Sequence, residues 1–188
     1  MNLNPTLDPE EYRMELFFRS LAPPATRAAQ ETITDRLKRL DDRGHIREYE
    51  LTVWGSCIRL DTTPRTPTEE ALRDKVDRFR RLEQRTEMSL APSFGEREID
   101  PLLDDAYTVF QTPVIALAVY ADSNVWGVFP CEVDGDLVTV DACLDAFLRR
   151  ESAVPARDAT AGAVTTSSSS VADVKGGGDD EGRRTDEK

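Results

Sequence analysis

Three cysteines and one histidine are the residues of this 188-residue chain best suited to chemistry. Cys57 in "WGSCIRL" and Cys131 in "VFPCEVDG" stand at the ends of strand-like runs, where partial exposure would make either a redox-sensitive thiol. Buried, the same groups behave as small inert hydrophobes. The three cysteines are odd in number and have no C-x-x-C spacing, which fits reduced intracellular thiols better than a disulfide framework. His45 follows Gly44 at a helix end, where carbonyl groups favour a cation, and no partner nucleophile is visible for it as a general base. Together with the cysteines it offers four zinc-type ligands without the paired spacing of a zinc site, so neither a metal nor a cofactor is expected. Glycine-rich phosphate loops are absent too, since "KGGGDD" follows no strand.

The elements that would position these groups are legible from periodicity. In "YRMELFFR", Tyr12, Met14, Leu16 and Phe18 alternate with Arg13, Glu15 and Arg19, the period of a strand with one dominant buried face and some cover at Phe17. Ala29, Ile33, Leu37 and Leu40 then form the stripe of a helix ended by Gly44. "REYELTVWG" alternates Tyr49, Leu51 and Val53 as a second strand. Thr66-Pro67-Thr68-Glu69 is a capping box ahead of the stripe Leu72, Val76, Phe79 and Leu82. Glu96 to Ile99 and Tyr107 to Gln111 form either a short hairpin or irregular cover. "TPVIALAVYADSNVWGVFP" gives two strands around a turn at Asp122 to Asn124, and its unbroken apolar run predicts burial on both faces. Thr139 caps a last helix with Val140, Cys143, Leu144, Phe147 and Leu148 inward, while Trp54 and Trp126 read as packing residues at strand ends.

That order, β-α-β-α-insertion-β-β-α, resembles the thioredoxin and glutaredoxin fold over residues of about 12 to 150, apart from an insertion at about 89 to 111. The fold class expected is therefore α/β, a thioredoxin-like three-layer sandwich. In that family the first strand leads into C-x-x-C, and here the same place reads Ala22-Pro23-Pro24-Ala25. The family also has a cis-proline before its third strand, and here Thr112-Pro113 precedes "VIALAVY". Alanine can supply neither the activated thiolate nor the resolving thiol, so the resemblance implies no oxidoreductase activity at this position. It implies instead a recognition surface for a protein or peptide partner at Pro23, Pro24, Thr112 and Pro113. Prolines 23 and 24 also suit the first turn of any helix.

"ELFFRSLAPPATRAAQETITDRLKRL", "VWG", "TPVIALAVYADSNVWGVFPC" and "TVDACLDAFL" resemble a group of small haloarchaeal proteins labelled as helix-turn-helix-domain proteins. The label implies a DNA-associated transcriptional regulator, yet the strand "REYELTVWG" separates the first two helices. In "RDKVDRFRRLEQR" the basic residues Arg73, Lys75, Arg78, Arg80, Arg81 and Arg85 are offset by Asp74, Asp77, Glu83 and Glu87, the pattern of a solvated face.

Charge sets the remaining limits. With 36 acidic against 24 basic residues the net charge is -12, which repels nucleic-acid phosphates. The only lysines are Lys38, Lys75, Lys175 and Lys188. Abundant acid with scarce lysine resembles the proteins of salt-in halophiles, where screening over about 3 Å at 1 M salt removes most self-repulsion. No apolar run approaches the roughly 20 residues of a membrane span, and the N-terminus lacks the pattern of a signal peptide, so a cytoplasmic protein is expected. Residues 1–11 read as a flexible leader, and 151–188, devoid of aromatic residues and rich in Ser, Gly and Asp, as a disordered acidic tail. Three functions follow: a non-catalytic thioredoxin-like binding module, a DNA-associated regulator, or a thiol-dependent redox protein using Cys57 or Cys131.

Overall fold

The computed structural model describes residues 8, 11–21, 23–91, 93–102 and 105–153, with side chains described to 149. These residues belong to one compact unit that spans Met1–Pro155. Most of the expected leader, all of the expected tail beyond 153, and Ala22 lie outside the described residues.

A central four-stranded sheet is built from β1 (Tyr12–Arg19), β2 (Glu48–Trp54), β7 (Ile115–Ala121) and β8 (Asn124–Phe129) in the order β2-β1-β7-β8. β1 runs parallel to β2 and antiparallel to β7, which is antiparallel to β8. The parallel pair is joined by α1 (Arg27–Asp42), because parallel neighbours need a crossover. Being central, β1 buries both faces: Tyr12, Met14 and Leu16 on one and Glu15 and Phe17 on the other are all 0% exposed. The even-numbered face meets α3 (Val140–Ala153), where the Tyr12 and Phe147 rings meet edge to face at 5.1 Å. The odd-numbered face meets α2 (Pro67–Arg85), where Phe17 packs against Phe79 at 5.9 Å. α1 joins α3 on the first side, as Arg36 binds Asp141 at 2.6 Å and also Asp145. The result is a mixed α/β arrangement with helices on both faces of the sheet.

Local chemistry explains the helix bounds. Thr66 Oγ1 accepts from the Glu69 amide at 3.1 Å, while the Glu69 carboxylate accepts from the Arg65 amide, one residue earlier than a standard capping box. Thr139 Oγ1 accepts from the Ala142 amide at 3.2 Å. At the end of α1 the His45 amide donates to Leu40 and the Gly44 amide to Asp41, with Gly44 at φ 67°, a Schellman ending. Ile33, Leu37 and Leu40 are buried as their spacing predicts, whereas Ala29 is exposed because the first turn of α1 projects past the core.

The expected hairpin is present as β5 (Gly95–Ile99) and β6 (Tyr107–Gln111), and β3 (Cys57–Arg59) pairs on the other side of β6. A further small sheet lies beyond the elements that periodicity marks: β9 (Cys131–Val133) lies between β10 (Asp136–Val138) and β4 (Met88–Ser89). β2 also departs from the reading of its alternation. Leu51 and Val53 are 48% and 62% exposed, because β2 is an edge strand and Thr52 points into the interior instead.

A buried charge sits in the middle of the sheet. Glu15, 0% exposed, accepts from Thr52 Oγ1 at 2.6 Å, from Tyr120 Oη at 3.0 Å and from Lys75 Nζ on α2. A lone carboxylate there would cost several kcal/mol, and these three donors from three elements compensate it. Burial, and then the Glu15 charge and hydrogen bond, hold the Tyr120 hydroxyl well above the ordinary phenol range.

Candidate functional site

β1 and β2 end at the same edge of the sheet, and β7 begins there. Leaving β1, the Arg19 amide donates to Val114 and the Ser20 amide to Trp54, so three chain segments are stitched together at this edge. Thr112 is the knot: it is 1% exposed, its amide donates to Ser56, its hydroxyl donates to Gly55 at 2.6 Å, and its carbonyl accepts from Arg19. The Pro113 carbonyl accepts from Trp54 Nε1 at 3.3 Å, and Trp54 stacks on Phe17 at 4.4 Å, which confirms it as a packing residue. Trp126 packs similarly, edge to face with Tyr12 and Phe147.

The residues singled out from sequence therefore divide. Thr112 and Pro113 lie at this edge, but Thr112 is buried and spends its polar groups on the neighbouring segments. The Thr112-Pro113 bond is not cis, contrary to the expectation from the resemblance; among the described residues the cis bond is Phe129-Pro130. The anchoring of the Thr112 amide and hydroxyl onto Gly55 and Ser56 fixes an extended path into β7. Pro23 and Pro24 are exposed, in a turn just before α1 where Thr26 donates back to the Pro23 carbonyl.

The thiols divide as well. Cys57 is exposed at the start of β3. Cys131, expected to be accessible at a strand end, is 0% exposed because β9 lies between β10 and β4, and burial pushes its thiol up to about 12. That removes Cys131 as a redox thiol. Cys143 is core, its thiol also raised by burial. His45 is half-buried, and among the described residues no group of three or more His, Cys, Asp or Glu side chains is placed to hold a metal ion. No described helix is long and apolar enough to cross a membrane.

Two concave surfaces carry positive charge. One, of about 390 Å³, lies at the sheet edge just described, with Arg19, Cys57 and Arg97 among its lining residues. The other, of about 320 Å³, lies between α2 and β8. Arg78, Arg81 and Arg85 recur there at the i, i+3, i+7 spacing of one helix face, joined by Gln84 and Asn124. All three guanidinium groups are exposed, and Arg81 and Arg85 lie along the helix, donating to the carbonyls of Asp77 and Arg81. Asp74, Asp77, Glu83 and Glu87, which balance these arginines in the sequence, do not line the cleft. The three arginines form one row beside the cleft, although Asp74 and Asp77 stand one turn N-terminal of Arg78 and Arg81 on the same side of the helix.

Comparison with known proteins adds one finding. A family model described as a helix-turn-helix domain matches residues 6–152. No curated protein and no solved structure matches the chain. Among the described residues, β2 and β3 separate α1 from α2, and strands separate α2 from α3, so no two helices are joined by a short turn.

Proposed function

The chain belongs to the helix-turn-helix domain family, and from that premise we propose that it is a DNA-associated regulator whose α2 face meets the phosphate backbone. The observation that carries this reading is the row Arg78, Arg81 and Arg85, with no carboxylate among the described residues lining the cleft. Arginine side chains on one face of a helix neutralise phosphates and release counterions, which makes binding steeply salt-dependent. With a net charge of -12 the rest of the surface opposes a duplex, so affinity rests on this local patch. Fluorescence anisotropy with a labelled duplex across a potassium chloride series tests it. Three phosphate contacts give a slope of about -2.7 in log affinity against log salt. The variant R78Q/R81Q/R85Q flattens that slope and loses binding, while a wild-type protein that ignores duplex DNA at every salt concentration refutes the reading.

A second reading is favoured by a different observation. The order β2-β1-β7-β8, with β1 parallel to β2 and the last two strands antiparallel, supports a thioredoxin-like, non-catalytic module, and the exposed Pro23 and Pro24, rather than the buried Thr112, are where it would meet a protein or peptide. Under it, a partner captured in high salt is lost on P23A/P24A and retained by the α2 triple variant. Cytoplasmic residence in a salt-rich cell accords with either reading, since the acidic surface and scarce lysine suit concentrated potassium chloride.

A further inference from the structure

We propose that the cleft at the carboxyl ends of β1 and β2 binds a small molecule through an anionic phosphate or carboxylate group. Four independent observations carry this. The first is position: the carboxyl ends of the parallel strands β1 and β2, joined through α1, open onto this cleft, the end of an α/β unit outside which ligands commonly sit. The second is charge: Arg19 and Arg97 line the cleft with the neutral donors Ser56, Ser93 and Gln111, and no carboxylate is among its described lining residues. In a chain with 36 acidic residues a concave surface with two guanidinium groups and no acid is selective for anions.

The third observation is an unspent donor. Arg19 gives one terminal nitrogen to the Thr112 carbonyl, while its Nε is buried with no hydrogen-bond partner. Because Thr112 is itself tied to Gly55 and Ser56, the guanidinium is held in place before any ligand arrives. Arginine presents its nitrogens as a planar fork that matches the paired oxygens of phosphate and carboxylate. The fourth is architecture: Arg97 comes from β5 of a different sheet, so the two cations reach one cleft of about 390 Å³ from different elements, within the size range of small-molecule sites. This cleft shares no lining residue with the α2 arginine surface, so it is independent of the DNA reading.

Cys57 supplies a built-in reporter, as the exposed thiol lining this cleft beside two buried ones. The full chain is titrated calorimetrically with inorganic phosphate and, in parallel, with succinate, at the lowest potassium chloride that keeps its circular dichroism native. Alkylation of Cys57 by iodoacetamide is followed peptide by peptide in the same solutions. Saturable binding of either anion, with slower Cys57 alkylation at saturation, is the expected result, and the anion that binds identifies the headgroup. R19Q and R97Q each weaken that binding by about tenfold, and R78Q/R81Q/R85Q leaves it unchanged. R97Q is the decisive variant, because Arg97 is exposed on β5 and its loss leaves the Thr112 knot intact. No saturable heat and an unchanged alkylation rate with both anions overturn the proposal, as does binding that survives R97Q undiminished.

Discussion

At the scale of single residues, Glu15 shows how a charge can be kept inside a sheet. Its carboxylate is fully buried and met by Thr52, Tyr120 and Lys75, which come from β2, β7 and α2. Removing the acid while leaving Lys75, whose side chain is 24% exposed, strands a cation and two hydroxyls, so E15A is expected to lower stability by about 3 kcal/mol. Urea denaturation measures this, and E15L/K75M, which removes both charges, is expected to recover most of the loss. Cys131 gives a second residue-scale expectation. Its proton leaves near the ordinary value of 9.0 in the unfolded chain but only near 12 in the fold. The unfolded state therefore binds fewer protons across that window, and stability falls as pH rises through it by up to about 1.4 kcal/mol per unit from this thiol. Urea midpoints taken from about pH 8 to about pH 10.5 will show the decline, and C131A will make it shallower.

Individual elements show what was legible in the sequence and what was not. The stripes of α2 and α3 and both threonine caps stand where their spacing puts them, because a helix buries one side against the sheet and its periodicity survives intact. β1 was harder: a central strand buries both faces, so a glutamate in the alternation reads as solvent-facing when a lysine from α2 accompanies it into the core. β9 and β10 leave no periodic trace in the sequence, although Asp134-Gly135, at φ 54° and 86°, is the two-residue turn of a hairpin. Both flanking strands are only three residues long, too short for alternation to register. The cleft beside the arginine row of α2 forms only where Ser123, Asn124 and Val125 come to lie against the helix, so spacing within α2 does not announce it. Close approach limits β8 as well. A Cβ on Gly127 would stand 2.9 Å from the ring of Phe129, which is fully buried, so G127A must displace that ring. A loss of about 1–3 kcal/mol is expected in thermal or urea unfolding, and a neutral result would mean that the ring moves freely.

Over the whole molecule, charge dominates. A net charge of -12 carried with few lysines makes the folded state self-repelling in dilute buffer. Raising potassium chloride from about 0.1 M to about 2 M shrinks the screening length from about 10 Å to below 3 Å and is expected to raise the melting temperature by several degrees. Calorimetry at matched protein concentration tests this, and a flat or falling trend would show that the acidic surface is not tuned to salt. The two cationic clefts impose an opposite demand: both weaken as the same salt screens their arginines, so stability and recognition draw on different salt ranges. The pairing of β1 has a further consequence, in time rather than in space. Glu15 and Tyr120 are 105 residues apart, so the strand at the centre of the sheet leaves the ribosome long before its antiparallel neighbour exists. Until β7 is made, β1 has only β2 beside it, and contacts of such sequence separation close slowly. Synthesis therefore passes through a nascent chain with an open apolar edge, an interval in which chaperone access matters more than final stability.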